Sequence, residues 1–200
     1  MNPYVATALA MCLIVALSLA GTAYLAVLFN RRAKEDLVRA LTPLAEAIDG
    51  EISLDDAQVS GRFDGDIVFG RMASGQGGIG RLFHVDRIDA AGGTAWEWSS
   101  LPSKDKSLPP ARHFESSDST LENKLALDWL VLASVVANAD HDRFGFIYDP
   151  GAGHVRFTRA MHSRRDIPTP DVFLGQLAAL GTIANANRRA QTEMAESVAT

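Results

Sequence analysis

The first thirty residues carry no charged side chain, and this feature constrains the chain more than any other. All 19 Lys and Arg residues and all 24 Asp and Glu residues follow Asn30. From Tyr4 to Phe29 every residue is apolar, small or weakly polar. A helix of this stretch would be about 39 Å long at roughly 1.5 Å per residue, against a bilayer hydrocarbon core of about 30 Å. Residues 1–30 are therefore predicted to form a transmembrane anchor.

The alternative for this segment is a cleaved signal peptide, because Ser18-Leu19-Ala20 resembles a small-x-small cleavage site. Against cleavage, no basic side chain precedes the apolar run, and the run continues to Phe29. We favour a retained single-pass helix in the cell (inner) membrane. Arg31, Arg32 and Lys34 follow it directly, and the positive-inside rule then predicts the N-terminus outside and the C-terminal domain in the cytoplasm.

Small residues recur at four-residue spacing in the anchor, Ala16 with Ala20 and Ser18 with Thr22. Such spacing lets a second helix approach closely, so these positions are predicted to pack against a partner in the bilayer. Alanine is also common in spanning segments, and chance is the simpler explanation of the pattern. The expected surroundings of the anchor are lipid and other membrane protein subunits.

The remainder of the chain is acidic, with the whole formal net charge of −5. Nucleic acid attracts clustered Lys and Arg, so no nucleic-acid partner is expected. Cys12 is the only cysteine and lies in the apolar segment, which excludes a disulfide within the chain and a cysteine metal cluster.

Residues 31–50 are predicted to form a juxtamembrane amphipathic helix that ends at Gly50, with Pro43 kinking or splitting it. Its apolar stripe either covers a sheet or lies along the membrane surface. The stripe consists of Leu37, Leu41, Leu44 and Ile48.

Alternating and helical patterns after residue 50 predict an α+β globular domain over residues 51–190. A hairpin turns at Asp64-Gly65, two further strands follow over residues 81–99, and a second hairpin covers residues 143–160. The predicted architecture is a two-layer sandwich of a mainly antiparallel sheet of about six strands with two to three helices.

Two domain helices are predicted from their N-terminal signals. Ser119 and Glu122 form the pattern of a capping box before a long apolar helix, predicted to be the central one. Thr169 and Pro170 begin the last helix, and residues 191–200 are predicted to fray. The core-facing stripe of the last helix is Phe173, Leu177, Leu180 and Ala184.

Two connections raise functional questions. Gly75, Gly77 and Gly80 spell the dinucleotide-binding pattern, but the sequence after them predicts a strand instead of a helix, so residues 75–80 are interpreted as a loop. Residues 99–118, rich in Ser, Pro and Lys, are predicted to form a long loop, either a strap that contacts a partner or a simple linker.

Catalytic and metal-binding patterns are weak. Asp140-His141-Asp142 offers oxygen and nitrogen ligands, but neighbours in one turn seldom converge on one metal, and a solvated helix end is the simpler interpretation. His84 is expected to fill space or pair across its strand. The sequence contains no recognisable catalytic motif, so no enzyme, cofactor or metal is predicted.

Two groups of residues are the candidates for partner binding. Trp96 and Trp98 share one face of a strand and are either core or a contact patch. The strongest basic cluster, expected to face an acidic partner or anionic lipid, is Arg156, Arg159, Arg164 and Arg165.

Three functions remain open on these patterns. The favoured one is a non-catalytic single-pass accessory or structural subunit of a larger membrane protein complex, of an energy-transducing kind such as a respiratory or photosynthetic one, with a cytoplasmic domain that docks on partners. The alternative is a membrane-tethered sensory or small-ligand-binding domain. A third is a membrane-bound hydrolase or transferase that uses His84 or His141.

Overall fold

The computed structural model describes residues 3–75, 80–89, 93–103, 105, 108–134 and 143–198. The chain divides into two compact units, Met1–Arg39 and Ala40–Thr200. One helix, α1 (Pro3–Ala47), contributes to both of them. The residues predicted as separate anchor and juxtamembrane helices therefore belong to one continuous helix.

The first unit contains the apolar part of α1 and the charged residues that follow it up to Arg39. By length and composition this helix can cross a membrane, and the apolar window that meets this test has none of its residues buried. A signal sequence near an N-terminus has the same properties. Leu17 and Phe29 each expose 65% of their surface, and large apolar surfaces of this kind are normally covered by lipid or by another protein.

The second unit begins with the last turns of α1. Pro43 lies inside these turns without ending the helix, which continues to Ala47. Leu41 and Leu44 are fully buried and Ile48 is 2% exposed. The Ile48 carbonyl accepts a hydrogen bond from the backbone N–H of Arg62 at 3.2 Å. This end of the predicted stripe therefore packs in the core of the domain and not on a membrane surface.

The domain is built on one eight-stranded sheet with the order β1-β2-β3-β4-β8-β7-β5-β6, in which every pairing is antiparallel. The predicted α+β class is confirmed. The strands are β1 (Glu51–Ser53), β2 (Gln58–Phe63), β3 (Asp66–Ser74), β4 (Arg81–Ile88), β5 (Trp96–Leu101), β6 (Ala111–Ser116), β7 (Phe144–Asp149) and β8 (His154–Met161).

The sheet has two more strands than the roughly six predicted. One is the short edge strand β1, and the other is β6, which lies inside the predicted loop 99–118 and forms the opposite edge. The loop prediction is wrong for these residues because β6 is polar and exposed along most of its length, and an edge strand needs no apolar alternation. The predicted hairpin at Asp64-Gly65 is confirmed, with φ of 51° and 86° at the two residues.

The glycine-rich connection joins the neighbouring antiparallel strands β3 and β4. The backbone N–H of Gly75 donates to the Gly80 carbonyl at 2.9 Å, and a strand follows at Arg81. Gly77 lies outside the described residues. The dinucleotide-binding pattern therefore lacks the helix that it needs, as the sequence predicted.

Helices cover one face of the sheet. The longest helix that lies wholly in the second unit is α4 (Pro170–Val198). Its predicted stripe is confirmed, since Phe173, Leu177, Leu180 and Ala184 are fully buried. The Phe173 ring lies edge-on to Phe83 of β4, with the two ring centroids 6.4 Å apart. The tail predicted to fray is helical through Val198, and Gln191 within it is only 6% exposed.

The predicted long central helix is wrong, because two short helices replace its first half. These are α2 (Leu121–Leu125) and α3 (Trp129–Ala133). Ala126 adopts the left-handed conformation after α2, and the Asp128 carboxylate caps α3 by accepting from the backbone N–H groups of Leu130 and Val131. A capping residue in mid-sequence thus restarts the helix. The predicted Ser119–Glu122 capping box does not form, since the N-cap of α2 is Thr120 and no side chain caps it.

A glycine before β5 allows α4 to approach the sheet. Gly93 has φ of 88°, and a Cβ added there would lie 2.1 Å from the Oε1 atom of Gln191. That oxygen accepts a hydrogen bond from the backbone N–H of Thr94 at 3.0 Å. A side chain at position 93 would therefore strain the backbone and displace Gln191.

We expect Gly93→Ala to lower the free energy of unfolding by about 2 kcal/mol, from the positive φ together with one lost hydrogen bond. Gly153→Ala is the matched control, because Gly153 also has a positive φ of 63° but has open space around its Cβ position. The control should lose only about 1 kcal/mol. Chemical unfolding of the detergent-solubilised chain, followed by circular dichroism, measures both, and equal losses would contradict the close approach.

Candidate functional site

Strands β4 and β8 lie in the middle of the sheet and place polar side chains on the face opposite to α4. Asp86 pairs in register with Arg156, and His84 with Thr158. Directly paired residues project to the same side, so all four share one surface, which we call the polar face. Asp86 is 5% exposed and His84 is 9% exposed, so this surface buries two ionisable groups.

The Asp86 carboxylate lies between two guanidinium groups. The Nε atom of Arg156 donates to Oδ1 at 2.5 Å, and its Nη2 atom donates to Oδ2 at 3.3 Å. The Nε atom of Arg71 lies 3.4 Å from Oδ2. A buried carboxylate needs such paired donors to offset its lost hydration. Two positive charges on one negative charge leave the trio with an excess of one positive charge.

His84 is held in the same surface by a hydrogen bond. Its Nδ1 atom lies 2.9 Å from the Thr158 hydroxyl oxygen. The pKa of His84 is lowered from 6.5 to about 4, chiefly by burial and secondarily by the positive charge of Arg156, while Asp86 acts in the opposite direction. The imidazole is therefore neutral at pH 7, and it can donate through one nitrogen and accept through the other.

Two cavities open beside Arg156 on the polar face. One, of about 230 Å³, is lined by residues of β4, β5, β7 and β8 together with Arg143. The other, of about 250 Å³, lies toward β2 and β3 and is lined by Arg71 and Asp86 among others. Arg156 lines both. The first cavity has space because Gly145 presents no side chain between Thr158 and Ser99, its partners in register on the two neighbouring strands.

A larger and more open cleft of about 870 Å³ lies near the ends of β5, β6 and β7. Glu97 and Glu115 pair directly across two strands there, an arrangement of like charges that disfavours the sheet. Hydrogen bonds from the backbone and side chain of Thr120 lower the pKa of Asp118 on its wall. The described residues contain no group of three His, Cys, Asp or Glu side chains placed to hold a metal ion. The acidic lining is Glu97, Glu115, Asp118, Glu122 and Asp149.

The two tryptophans predicted as core or contact patch are buried. Trp96 and Trp98 are each 2% exposed, on the face that the helices cover. The Trp98 ring stacks on Trp129 of α3, with ring centroids 5.3 Å apart and planes 12° apart. The Nε1 atom of Trp96 donates to the Asn187 side chain at 2.9 Å. These rings therefore build the core and leave no patch for a partner.

The four arginines predicted as one basic cluster do not share a surface. Arg156 lies on the polar face, whereas Arg159 pairs with Phe83 and Phe144 on the opposite face. Odd spacing along β8 separates them, because side chains alternate between the faces of a strand. Arg165 is exposed in the turn after β8, and the side chain of Arg164 lies outside the described residues.

Other predicted positions stay apart from this surface. Ala16, Ala20, Ser18 and Thr22 are exposed on α1, where the Thr22 hydroxyl donates to the Ser18 carbonyl at 2.9 Å. Their packing role stays a prediction. Asp140-His141-Asp142 lies outside the described residues.

Asp86, Arg71 and Thr158 were not predicted as site residues, whereas His84 was expected to fill space or to pair across its strand. The alternation of side chains along each strand could have indicated this surface, because it places His84 and Asp86 on one side of β4 and Arg156 and Thr158 on one side of β8. Polar residues on one face of a strand normally indicate a solvated surface, and these side chains are buried because β4 and β8 lie in the middle of the sheet.

Comparisons of this chain with protein-family models, with curated proteins and with solved structures found no match.

Proposed function

We propose that this protein is a single-pass, membrane-anchored accessory subunit of a larger membrane protein complex, with a non-catalytic domain that docks on partners in the cytoplasm. The observation that carries the proposal is the apolar stretch of α1, whose large side chains are mostly exposed. Leu17, Leu19 and Phe29 expose about two-thirds of their surfaces, at 65%, 67% and 65%. A continuous apolar surface of this kind is covered by lipid or by protein.

Features of the domain support a docking role over a catalytic one. Asp86 is engaged by Arg156 and Arg71, and His84 by Thr158, so these groups are already used within the fold. On α3, the adjacent residues Leu130 and Val131 are 58% and 63% exposed. Two neighbouring apolar side chains in solvent are what a contact with a partner would cover.

The test is co-purification of the full chain in a mild detergent. We expect stoichiometric membrane-protein partners, and we expect Val131→Asp to reduce their recovery by about tenfold, because a buried charge at a contact costs more than 1.4 kcal/mol. Ile67→Asp is the matched control, since Ile67 is also an exposed apolar residue, at 46%, but lies on β3. A lone monomer, or equal loss with both variants, would contradict docking through α3.

The proposed orientation has a separate test. Protease added outside intact cells should leave the domain uncut, whereas the same protease should digest it in inside-out vesicles. This expectation follows from the basic residues after the apolar run, Arg31, Arg32 and Lys34. Digestion in intact cells, or a mature chain that begins near Gly21, would overturn the cytoplasmic anchor.

The second candidate function is a membrane-tethered small-ligand-binding domain. The cavity of about 230 Å³ beside Arg156 favours it, because polar groups from several strands converge there. An accessory subunit can also hold a ligand, so the two functions are compatible.

A further inference from the structure

We propose that the cavity of about 230 Å³ beside Arg156 is a binding site for a small organic monocarboxylate. The site goes beyond the accessory role and does not depend on it, because its groups belong to the sheet itself. Three features of the cavity carry the inference: its charge, its donors and its apolar wall.

The charge around the cavity is positive although the chain as a whole is acidic. Arg143 and Arg156 line it, and Arg71 adds a third guanidinium group through Asp86. Among the lining residues the one carboxylate is Glu97, while behind Arg156 the charges of Asp86 and Arg71 cancel. Glu115, the neighbour of Glu97 across the strands, lines the larger cleft instead. His84 contributes no charge at pH 7, so one positive charge is left over. A monoanion balances this excess, whereas a dianion such as phosphate would exceed it.

Hydrogen-bond donors surround the same space. Arg156 binds Asp86 through Nε and Nη2, and its Nη1 atom makes no hydrogen bond to the described part of the chain. The hydroxyls of Thr158 and Ser99 flank the gap at Gly145. With the Thr158 oxygen accepting from the Nδ1–H of His84, its own O–H is available, so a guanidinium edge and two hydroxyls match the oxygens of a carboxylate.

The rest of the lining is apolar, and it limits the ligand. Leu82, Ala160 and Ile147 form part of the wall, so a hydrocarbon group can be buried next to the carboxylate. The volume of about 230 Å³ is below the range of about 300–1,000 Å³ typical of drug-sized ligands. The cavity therefore fits a short-chain acid of a few carbon atoms.

The test uses sodium butyrate as the probe and the full chain in nanodiscs of neutral lipid, observed by saturation-transfer NMR. We expect saturable millimolar binding of butyrate, and no comparable binding of butyramide, which has the same shape without the charge. Arg143→Gln should weaken butyrate binding by about tenfold or more, the loss expected for one charge-assisted hydrogen bond. Arg143 is exposed and does not pair with Asp86, so this variant keeps the Asp86 ion pairs.

Arg165→Gln is the matched control, because it removes the same charge from an exposed position outside the cavity. Its butyrate binding should equal that of the unmodified chain. Ser99→Ala, which removes one hydroxyl, should weaken binding by a few-fold. Absence of binding to the folded chain, equal binding of butyramide, or equal effects of Arg143→Gln and Arg165→Gln would each overturn the proposal. None of these results bears on membrane partners, so the accessory role is tested separately.

Discussion

Asn187→Leu is expected to lower the free energy of unfolding by about 3 kcal/mol, because the leucine leaves buried polar groups without their partner. Asn187 is fully buried on α4. Its Oδ1 atom accepts from the Trp96 indole at 2.9 Å and from the Gln191 amide at 3.2 Å. Its Nδ2 atom donates to the Asp89 carboxylate at 3.3 Å.

The size of this effect comes from adding the groups that are affected. An unsatisfied buried donor costs about 1–3 kcal/mol, and the Trp96 N–H loses its acceptor outright. Gln191 keeps its hydrogen bonds to Thr94, and Asp89 keeps its ion pair with Arg188 at 3.6 Å. The loss of their hydrogen bonds to Asn187 therefore lowers the free energy of unfolding by only about 1 kcal/mol each. Leucine has the same four branched side-chain heavy atoms as asparagine and is somewhat larger, so the substitution creates no cavity.

Asn185→Leu provides the matched control on the same helix. Asn185 is exposed, and its Oδ1 atom accepts only a surface hydrogen bond from Arg188, at 3.1 Å. Its replacement should change the free energy of unfolding by less than about 0.5 kcal/mol. Urea unfolding of the solubilised chain, followed by circular dichroism, compares the two variants. A loss below about 1 kcal/mol for Asn187→Leu would show that the network contributes little.

The second large effect is a loss of stability in mild acid that depends on His84. In the folded chain its pKa is lowered from 6.5 to about 4, chiefly by burial and secondarily by Arg156. The unfolded chain therefore binds the proton more tightly than the folded chain does. The resulting loss in the free energy of unfolding is absent above pH 6.5, grows as the pH falls from 6.5 to 4, and is nearly complete at pH 4. At 1.36 kcal/mol per pKa unit it amounts to about 3 kcal/mol.

The measurement compares the unmodified chain with His84→Gln, because the surrounding carboxylates also titrate in acid. The groups that act on His84 are Thr158, Arg156, Asp86, Arg71 and His154, and all of them are kept in the variant. The difference in unfolding free energy between the two chains should change by about 3 kcal/mol between pH 7 and pH 4.

A second histidine serves as the control for this pH dependence. His113 lies on β6, in register with Ser99 of β5, and its side chain is 65% exposed. His113→Gln should therefore follow the pH profile of the unmodified chain. A His84→Gln chain with that same profile would mean that His84 does not carry the acid sensitivity.

Local patterns were sufficient to predict the elements whose signals lie within a few residues. The turn at Asp64-Gly65 and the buried stripe of α4 are of this kind, because positive φ and helical spacing leave direct marks in a sequence. The class of fold followed from them. Edge strand β6 was missed because four of its six residues are exposed and it shows no apolar alternation. The long helix was wrong because the capping effect of Asp128 outweighs the apolar run around it.

The candidate site could not be predicted in the same way. Strand β8 follows β4 by some seventy positions in the chain, and only the order of the sheet makes them neighbours. The alternation that correctly puts Asp86 and His84 on one side of a strand does not reveal which strand lies beside it. For the same reason, four arginines that are close in sequence were grouped although β8 sends Arg156 and Arg159 to opposite sides.

The stacking of α3 against the sheet has a spectroscopic consequence. The chain contains 3 tryptophans, and all of them meet at this contact, with Trp129 centred 5.3 Å from Trp98 and 5.8 Å from Trp96. The tryptophan emission of the whole protein therefore originates at one place, and it reports on whether this short helix is packed against the sheet. The molecule thus carries a built-in optical probe beside the exposed pair Leu130 and Val131, at the surface where docking is proposed.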